Sequence, residues 1–319
     1  MSTKIFLVDA FADGPFAGNP AGVCYVQGSH GEQFPLSDDT MQNIAAEMNV
    51  SETAFIQPVT AGPHPTDFLL RWFTPTVEVK LCGHGTLSAS AIIFKEFFSG
   101  AESGDVLLKF RTLSGELTAR KMETEKSLRI VLDFPCNPPK KVFDWPVNGA
   151  EEASGKHKKI QELVNTFGGL ESNHVASIWH NPTSGKLVVR LKEDVVSRSI
   201  LENYVVNPTE LLSVDQNSLQ DSERVKGIIL TRRGDGEEFH FLSRYFAPWV
   251  GINEDPVTGS AHTVLGPYWK QDYADNSIST FSARQCSKRG GNLQVSVGES
   301  GRVKLGGEAY VVMSGTLNL

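Results

Sequence analysis

The chain has 319 residues, of which 40% are apolar and 21% charged, with a formal net charge of −7. That length suits two hydrophobic cores better than one. The acidic balance argues against a nucleic-acid partner, and no run of 18 apolar residues offers a membrane span.

At the N-terminus, MSTKIFLVDAF meets Asp9 too early for an apolar signal segment. The cysteines (Cys24, Cys82, Cys136 and Cys286) are widely spaced and form no CxxC. The expectation is reduced thiols in a cytoplasmic protein. Residues 4–11 alternate like a strand, 14–22 read as a Gly/Pro loop, and 22–26 as a second strand. Ser37 stands at an N-cap position, with Asp38 and Asp39 in the first turn behind it. Met41, Ile44, Ala45 and Met48 then form the apolar stripe of a helix. Strands are predicted over 51–58 and 67–75, each stopped by proline. A helix rich in small residues follows over 87–98, and strands over 105–134 turn at Ser114-Gly115. The Pro-, Lys- and Gly-rich stretch 135–159 reads as a crossing between domains. GAEEASGKH (149–157), inside it, lacks the spacing and the Ser/Thr of a phosphate loop.

Beyond the crossing, a helix is predicted over 159–168, and strands over 174–180 and 186–192 join at Asn181-Pro182. Further strands are predicted over 226–234 and 238–248, a helix over 261–271, a strand over 289–297 and terminal strands over 303–319. The domain reading is 1–134, then 135–303, with 304–319 as terminal strands free to rejoin the first domain. One segment occurs twice. LLRWFTP (69–75) returns as LSRYFAP (242–248), with Leu69/Leu242, Arg71/Arg244, Phe73/Phe246 and Pro75/Pro248 identical and Trp72/Tyr245 aromatic in both. Each copy runs into a small-residue loop, CGHGT (82–86) or DPVTGSA (255–261), and each loop opens a helical stretch. The fold class read from this is α/β (α+β), two halves that each curve a sheet around a central helix.

The two loops carry the chemistry. Gly83 and Gly85 flank His84, while Thr258, Gly259 and Ser260 follow Asp255-Pro256. Glycine at a helix start lets backbone N–H groups approach a carboxylate or enolate oxygen, and two such ends can surround one cleft. The plainer alternative is a pair of Gly-rich turns. His84 can carry a proton near neutral pH or merely satisfy the loop backbone. Asp255 before proline is equally ordinary turn chemistry. Glu47 sits one position off the stripe of Ile44 and Met48, where partial burial can raise a carboxyl pKa. Its alternative is a solvated helix flank. No GxGxxG follows a strand, and no HExxH or His cluster indicates a metal.

AFADGPFAGNPAGV (10–23), IAAEMNVSETAF (44–55), RWFTPTVEVKLCGHGT (71–86) and DPVTGSAHTVLGPYW (255–269) together resemble the PhzF family, the phenazine biosynthesis-like proteins. The likeness spans residues 4 to about 312, with the four motifs in family order. It implies a diaminopimelate-epimerase-like fold of two pseudo-symmetric domains with the active site between them. It implies an isomerase that moves a proton on a small carboxylate-bearing metabolite without metal or organic cofactor, and a homodimer. By resemblance the acid/base glutamate falls on Glu47, the motif histidine on His84, and the second motif's aspartate and serine on Asp255 and Ser260. Cys82, Gly83, Gly85, Thr86, Thr258 and Gly259 complete the expected substrate-binding loops. Cys82 departs from PhzF itself and resembles two-thiol epimerases, which need a second cysteine at the other loop. Asp255-Pro256 holds that place, so one-base chemistry through Glu47 is expected. The competing readings are a non-catalytic binder of small anions or protein partners, and an epimerase or racemase using Cys82.

Overall fold

The computed structural model describes residues 3–99, 106–123, 128–146, 155–167, 170–236, 238–273, 278–298 and 300–319. Two compact units divide the chain. Unit 1 comprises Met1–Phe134, Gly291–Gln294 and Lys304–Leu319, and unit 2 comprises Pro135–Gly290 and Val295–Val303.

In unit 1 the chain runs β1 (Thr3–Ala10), β2 (Asn19–Val26), α1 (Asp38–Met48), β3 (Thr53–Pro58), β4 (Asp67–Phe73), β5 (Glu78–Val79), α2 (Gly83–Phe97), β6 (Leu107–Thr112), β7 (Gly115–Glu123) and β8 (Leu128–Pro135). Unit 2 follows with β9 (Lys140–Asp144), α3 (Gly155–Asn165), β10 (Val175–Asn181), β11 (Lys186–Leu191), α4 (Arg198–Asn203), α5 (Pro208–Ser213), β12 (Gly227–Arg233), β13 (Phe241–Ala247), β14 (Ile252–Asp255), α6 (Gly259–Tyr273) and β15 (Phe281–Gln285). Then come β16 (Gly291–Val297) and the long β17 (Arg302–Leu317).

Eight strands of unit 1 close into a barrel in the order β1-β2-β3-β4-β6-β7-β8-β17, with β17 returning to pair with β1. Closure leaves no free edge in the ring. Helix α2 packs against β1, β2, β3 and β7, and all its residues from His84 to Phe94 are buried. Ser88, Ala89, Ser90 and Ala91 make this possible, because small side chains let the backbone sit close to the strands around it. The buried Ser90 hydroxyl donates back to Thr86 O at 2.7 Å, which removes its desolvation cost.

Unit 2 repeats the pairing senses. β10/β11 is antiparallel and β11/β12 parallel. β12/β13 and β13/β14 are antiparallel, and β13/β15 is parallel. Unit 1 has the same sequence of senses in β1/β2, β2/β3, β3/β4, β4/β5 and β4/β6. α2 and α6 correspond, and each has 15 residues. The structure thus realises the duplicated α+β architecture. Asp67–Phe73 and Phe241–Ala247 are equivalent strands of the two sheets.

Three sequence expectations need correction. The stretch 135–159 is not a bare crossing, since β9 lies in it and pairs with β10. Phe143 of β9 enters the unit 2 core, and the flanking prolines and lysines disguise this short strand. Of GAEEASGKH, 149–154 fall outside the described residues, while 155–157 open α3. The terminal strands are one continuous strand, β17. Helices α4 and α5 and strand β15 were not expected at all. Both helices have six residues, too few to show a stripe.

The repeated arginines explain why the duplicated segment has its sequence. Arg71 holds Glu78 of β5 through Nε and Nη2, at 2.6 and 2.8 Å, and Asp38 through Nη1 at 2.7 Å. Arg244 holds Glu254 of β14 in the same way, at 2.7 and 2.8 Å. Its Nη1 donates to Tyr204 O at 2.6 Å and Leu201 O at 3.1 Å. Each fork pins the short strand that leads into a loop and helix start. Arg244 is 6% exposed, whereas the Arg71 side chain is 21% exposed. Removing Arg244 strands a partly buried carboxylate and two carbonyls. By denaturant titration, Arg244→Ala is expected to cost about 3–5 kcal/mol, and Arg71→Ala about 1 kcal/mol.

Candidate active site

Helix α1 ends where its sequence says it should. Ser37 accepts from the Thr40 amide at 3.2 Å at the N-terminus. Asn49 caps the other end in the left-handed region (φ 47°) with its N–H on Ala45 O at 3.1 Å. That turn brings Ser51 and Glu52 to the start of β3. The Glu52 carbonyl accepts from Gly22 N at 3.0 Å, and Ser51 Oγ donates to Pro20 O at 3.1 Å. Gly22 is required here, because a Cβ would lie 2.7 Å from Thr53 Oγ1.

Glu52 therefore points at the opening of α2, where it meets His84 and Cys82. His84 Nε2 lies 3.1 Å from Glu52 Oε2 and 3.0 Å from Ser51 Oγ. The Ser51 contact has hydrogen-bond geometry. The Glu52 contact is an ion pair without that alignment, so Oε2 is buried and has no hydrogen bond. Cys82 Sγ lies 3.5 Å from His84 Nδ1 and accepts from Gly85 N at 3.3 Å as the N-cap of α2. The Asn19 side-chain nitrogen Nδ2 is placed 3.3 Å from Nδ1, an orientation that suits only an unprotonated Nδ1. Against an imidazolium the amide oxygen must face the ring, since both ring nitrogens then carry protons.

The charges follow from this packing. Burial pushes the Cys82 thiol up, the Glu52 carboxylate adds to that, and the thiol stays neutral. Burial pulls His84 down, but a hydrogen bond to the Cys82 sulfur and the charge of the Glu52 carboxylate outweigh it and raise the imidazole well above its ordinary 6.5. With the thiol neutral, Glu52 supplies the counter-charge. Burial pushes Glu52 up, yet the charge of His84 and the polar surroundings of Ser51 and Cys82 leave it below its ordinary 4.5. At neutral pH the pair is a buried carboxylate against an imidazolium.

This corrects the sequence reading of Glu47. Glu47 is exposed and edges an open apolar hollow of about 320 Å³ with Ile5, Ile44, Met48 and Leu317. The stripe of α1 faces the core, and Glu47 falls beside it. The carboxylate that the structure brings to His84 is the other glutamate of the same motif. Ser51 and Asn19, also missed, lie in the two N-terminal motifs whose likeness was noticed as a whole.

Around this pair the first loop behaves as a helix start. Gly85 has no room for a side chain, since a Cβ would meet Trp72 Cδ1 at 2.9 Å and Cys82 Sγ at 3.0 Å. Thr86 is fully buried and its hydroxyl donates to Cys82 O at 2.6 Å, so it braces the turn rather than facing a ligand. The Gly85 and Thr86 amides are used within the turn. Those of Gly83 and His84 meet no acceptor among the described residues and are open to an anion.

In unit 2, the Asp255 carboxylate accepts from Thr258 Oγ1 at 2.5 Å. Gln285 accepts from Thr258 N at 2.9 Å and donates to Asp255 O at 2.6 Å. Asp255 thus shapes its loop, with Gln285, which sequence reasoning did not single out, as the brace. Gly259 and Ser260 are the first two residues of α6, as Gly83 and His84 are of α2. Ser260 is half-buried. Matching the helix starts makes Thr258 the counterpart of Cys82, so the place of a second thiol lies three residues beyond the expected Asp255-Pro256.

A cation could use donor atoms of Glu52, Cys82 and His84, which all lie within 4.8 Å of one another. Binding would displace the protons of His84 and Cys82, so this set in its present state is a proton site more than a metal site.

The chain is similar to known proteins over nearly its whole length. The model of the phenazine biosynthesis-like protein family matches residues 8–315. A human phenazine biosynthesis-like domain-containing protein is 43% identical, with 99% of each chain covered. An uncharacterized isomerase of Halalkalibacterium halodurans is 35% identical over the whole of both chains. A crystal structure of a PhzF-family protein from Enterococcus faecalis superposes with a TM-score of 0.74 at 33% identity, covering both chains completely. A predicted epimerase of Pseudomonas aeruginosa, at 20% identity and a TM-score of 0.67, shares the fold. No described helix is long and apolar enough to cross a membrane.

The buried pair has a pH signature. The lowered Glu52 stabilises the fold above about its unfolded value of 4.5, and this is lost as pH falls through the folded value. The raised His84 stabilises below its unfolded 6.5, and this is lost as pH rises through the folded value. In thermal melts the Tm deficit of Glu52→Gln relative to wild type should be greatest between those two values and shrink on either side. A deficit independent of pH would contradict the ion pair.

Proposed function

Because the chain belongs to the phenazine biosynthesis-like (PhzF) family, we propose that it is an isomerase that moves a proton on a small carboxylate-bearing substrate, with Glu52 as acid and base. The observation that carries this reading is the Glu52 carboxylate, buried against His84 beside a helix start, whose Oε2 atom lies 3.1 Å from Nε2 and accepts no aligned hydrogen bond. Such an oxygen has a lone pair to offer a carbon-bound proton. The C–H bond breaks, its electron pair moves into the conjugated acid group, and the proton resides on Glu52. The same carboxylic acid then returns the proton to a different carbon. This chemistry needs no more than side-chain acid and base.

His84 is the positioning partner. Its imidazolium keeps Glu52 ionised between turnovers, and the open amides of Gly83 and His84 offer an anion site at the same helix start. Asp255 and Ser260 act at the second loop, Asp255 by holding its shape and Ser260 by offering an amide and a hydroxyl. The isomerase name of the Halalkalibacterium relative supports the reaction class. A two-thiol epimerase is disfavoured, since Thr258 occupies the place that a second cysteine would need. The four cysteines, widely spaced along the chain, fit a reducing, cytoplasmic setting.

The test is proton exchange between substrate and deuterated water, using a dihydroanthranilate analogue and NMR detection. Glu52→Gln should lose about 10²- to 10⁴-fold in the rate of solvent label uptake. Glu47→Gln should retain the wild-type rate. The reverse pattern would return the role to Glu47, and equal rates in all three proteins would remove both glutamates from the mechanism.

A further inference from the structure

Unit 2 buries a lysine in the first position of a strand. Lys186 opens β11 directly after the Gly185 turn and is 7% exposed. Among the described residues its Nζ makes no hydrogen bond and no ion pair of contact distance. Nζ stands 5.7 Å from the centre of the Tyr245 ring. Asp255 is the charged group that acts on it. Burial pulls the ammonium down to about 8 against the opposing push of Asp255. A cation kept in this state costs stability unless something else pairs with it.

Tyr245 is in a similar position. It too is 7% exposed, and its hydroxyl has no hydrogen-bond partner among the described residues. That hydroxyl lies over Gly227, where a Cβ would come within 2.2 Å of Oη. The two positions are linked through the sheet, since Lys186 pairs with Gly227 across β11/β12 and Tyr245 with Asp255 across β13/β14. Asp255 then leads through the loop into α6, where the amides of Gly259 and Ser260 are open. Lys186 and Tyr245 are thus both largely buried, their polar atoms meet no hydrogen-bond acceptor among the described residues, and Asp255 is the carboxylate that acts on both. The aromatic position is that of the duplicated segment, where unit 1 has Trp72.

We propose that Lys186 and Tyr245 form an oxyanion-binding subsite of unit 2, which takes a carboxylate of the ligand. The ammonium supplies the charge and the phenol a directed hydrogen bond, in a setting where both count for more than in water. Asp255 keeps the lysine charged until the anion arrives. This deepens the isomerase reading and rests on it for the claim that the anion belongs to a substrate. The binding claim stands without it.

The experiment uses full-length protein with ¹³Cε-labelled lysine. The Lys186 resonance is assigned by its loss in Lys186→Met and followed through a pH titration with benzoate, and with benzamide as the neutral control. Benzoate should raise the Lys186 midpoint by about one pH unit, and benzamide should leave it in place. Lys186→Met should weaken benzoate binding by about tenfold, and Tyr245→Phe should weaken it less. Lys186→Met should also melt higher than wild type at neutral pH, because it removes a largely buried cation that makes no contact ion pair among the described residues, and this verifies an intact fold. An unmoved Lys186 resonance at the highest soluble benzoate, or equal benzoate affinity in Lys186→Met, overturns the subsite. If the lysine stays silent while Glu52→Gln abolishes exchange, the subsite falls and the isomerase reading survives. If the lysine responds while Glu52→Gln exchanges normally, the reverse holds.

Discussion

A carboxylate and an imidazole, both buried, can share a space only if one proton is placed between them and the surrounding dipoles agree. That constraint organises the first half of this protein. Glu52 is delivered by a helix that must stop, a left-handed cap at Asn49, and a strand pinned to β2 through Gly22. His84 is delivered by a helix that must start where Cys82 caps it. The pair then needs Ser51 and Asn19 to meet the remaining ring positions. Each of these features is ordinary alone, and together they over-determine the position of one carboxylate oxygen. Isolated in a barrel wall, such a charge would be driven toward its neutral form. Beside the imidazolium it stays ionised, and its one unbonded oxygen is available for chemistry.

The duplication supplies the rigidity. In each unit an arginine of the central strand grips a glutamate of the short strand that follows, and that strand leads to the helix start. The two copies have diverged in how the clamp is finished. Arg71 ends on the accessible Asp38, whereas Arg244 ends on backbone carbonyls around α4. The loops have diverged further. In unit 1 the turn before the helix is closed by a sulfur and faces an acid–base pair. In unit 2 it is closed by a threonine hydroxyl on Asp255, with Gln285 bridging the backbone. A repeat can be topologically faithful while its two helix starts take different chemical duties.

Much of this was legible in the residues. The paired segments, the small-residue helix, the Ser37 cap and the two loops all rest on local signals, and local signals survive folding. The failures have a common physical cause. Glu47 and Glu52 lie in one motif, and the family resemblance places the role on Glu47, which also flanks an apolar stripe. What decides between them is the Asn49 cap and the β2/β3 register, which depend on contacts distant in sequence. The counterpart of Cys82 was sought at Asp255-Pro256, where the loop begins by composition. The helix itself begins at Gly259, and only its hydrogen bonds reveal that. Strand β9 is hidden by prolines, and α4 and α5 are too short to show a period. Gln285 and Lys186 carry no sequence signal, because a lone Gln or Lys in a strand is read as surface.

Lys186 also shows how stability and function separate in such a fold. A methionine there would preserve the stem's packing on Tyr245 and relieve the burial of a charge, so selection for stability alone would favour it. Gly227 points the same way. Its missing side chain makes room for a tyrosine hydroxyl that gains no hydrogen bond among the described residues. An ammonium and a phenol left with donors to spare, beside an aspartate already engaged with its own loop, are features that a merely structural wall would not need. An anionic ligand resolves both, supplying the acceptor that the protein withholds.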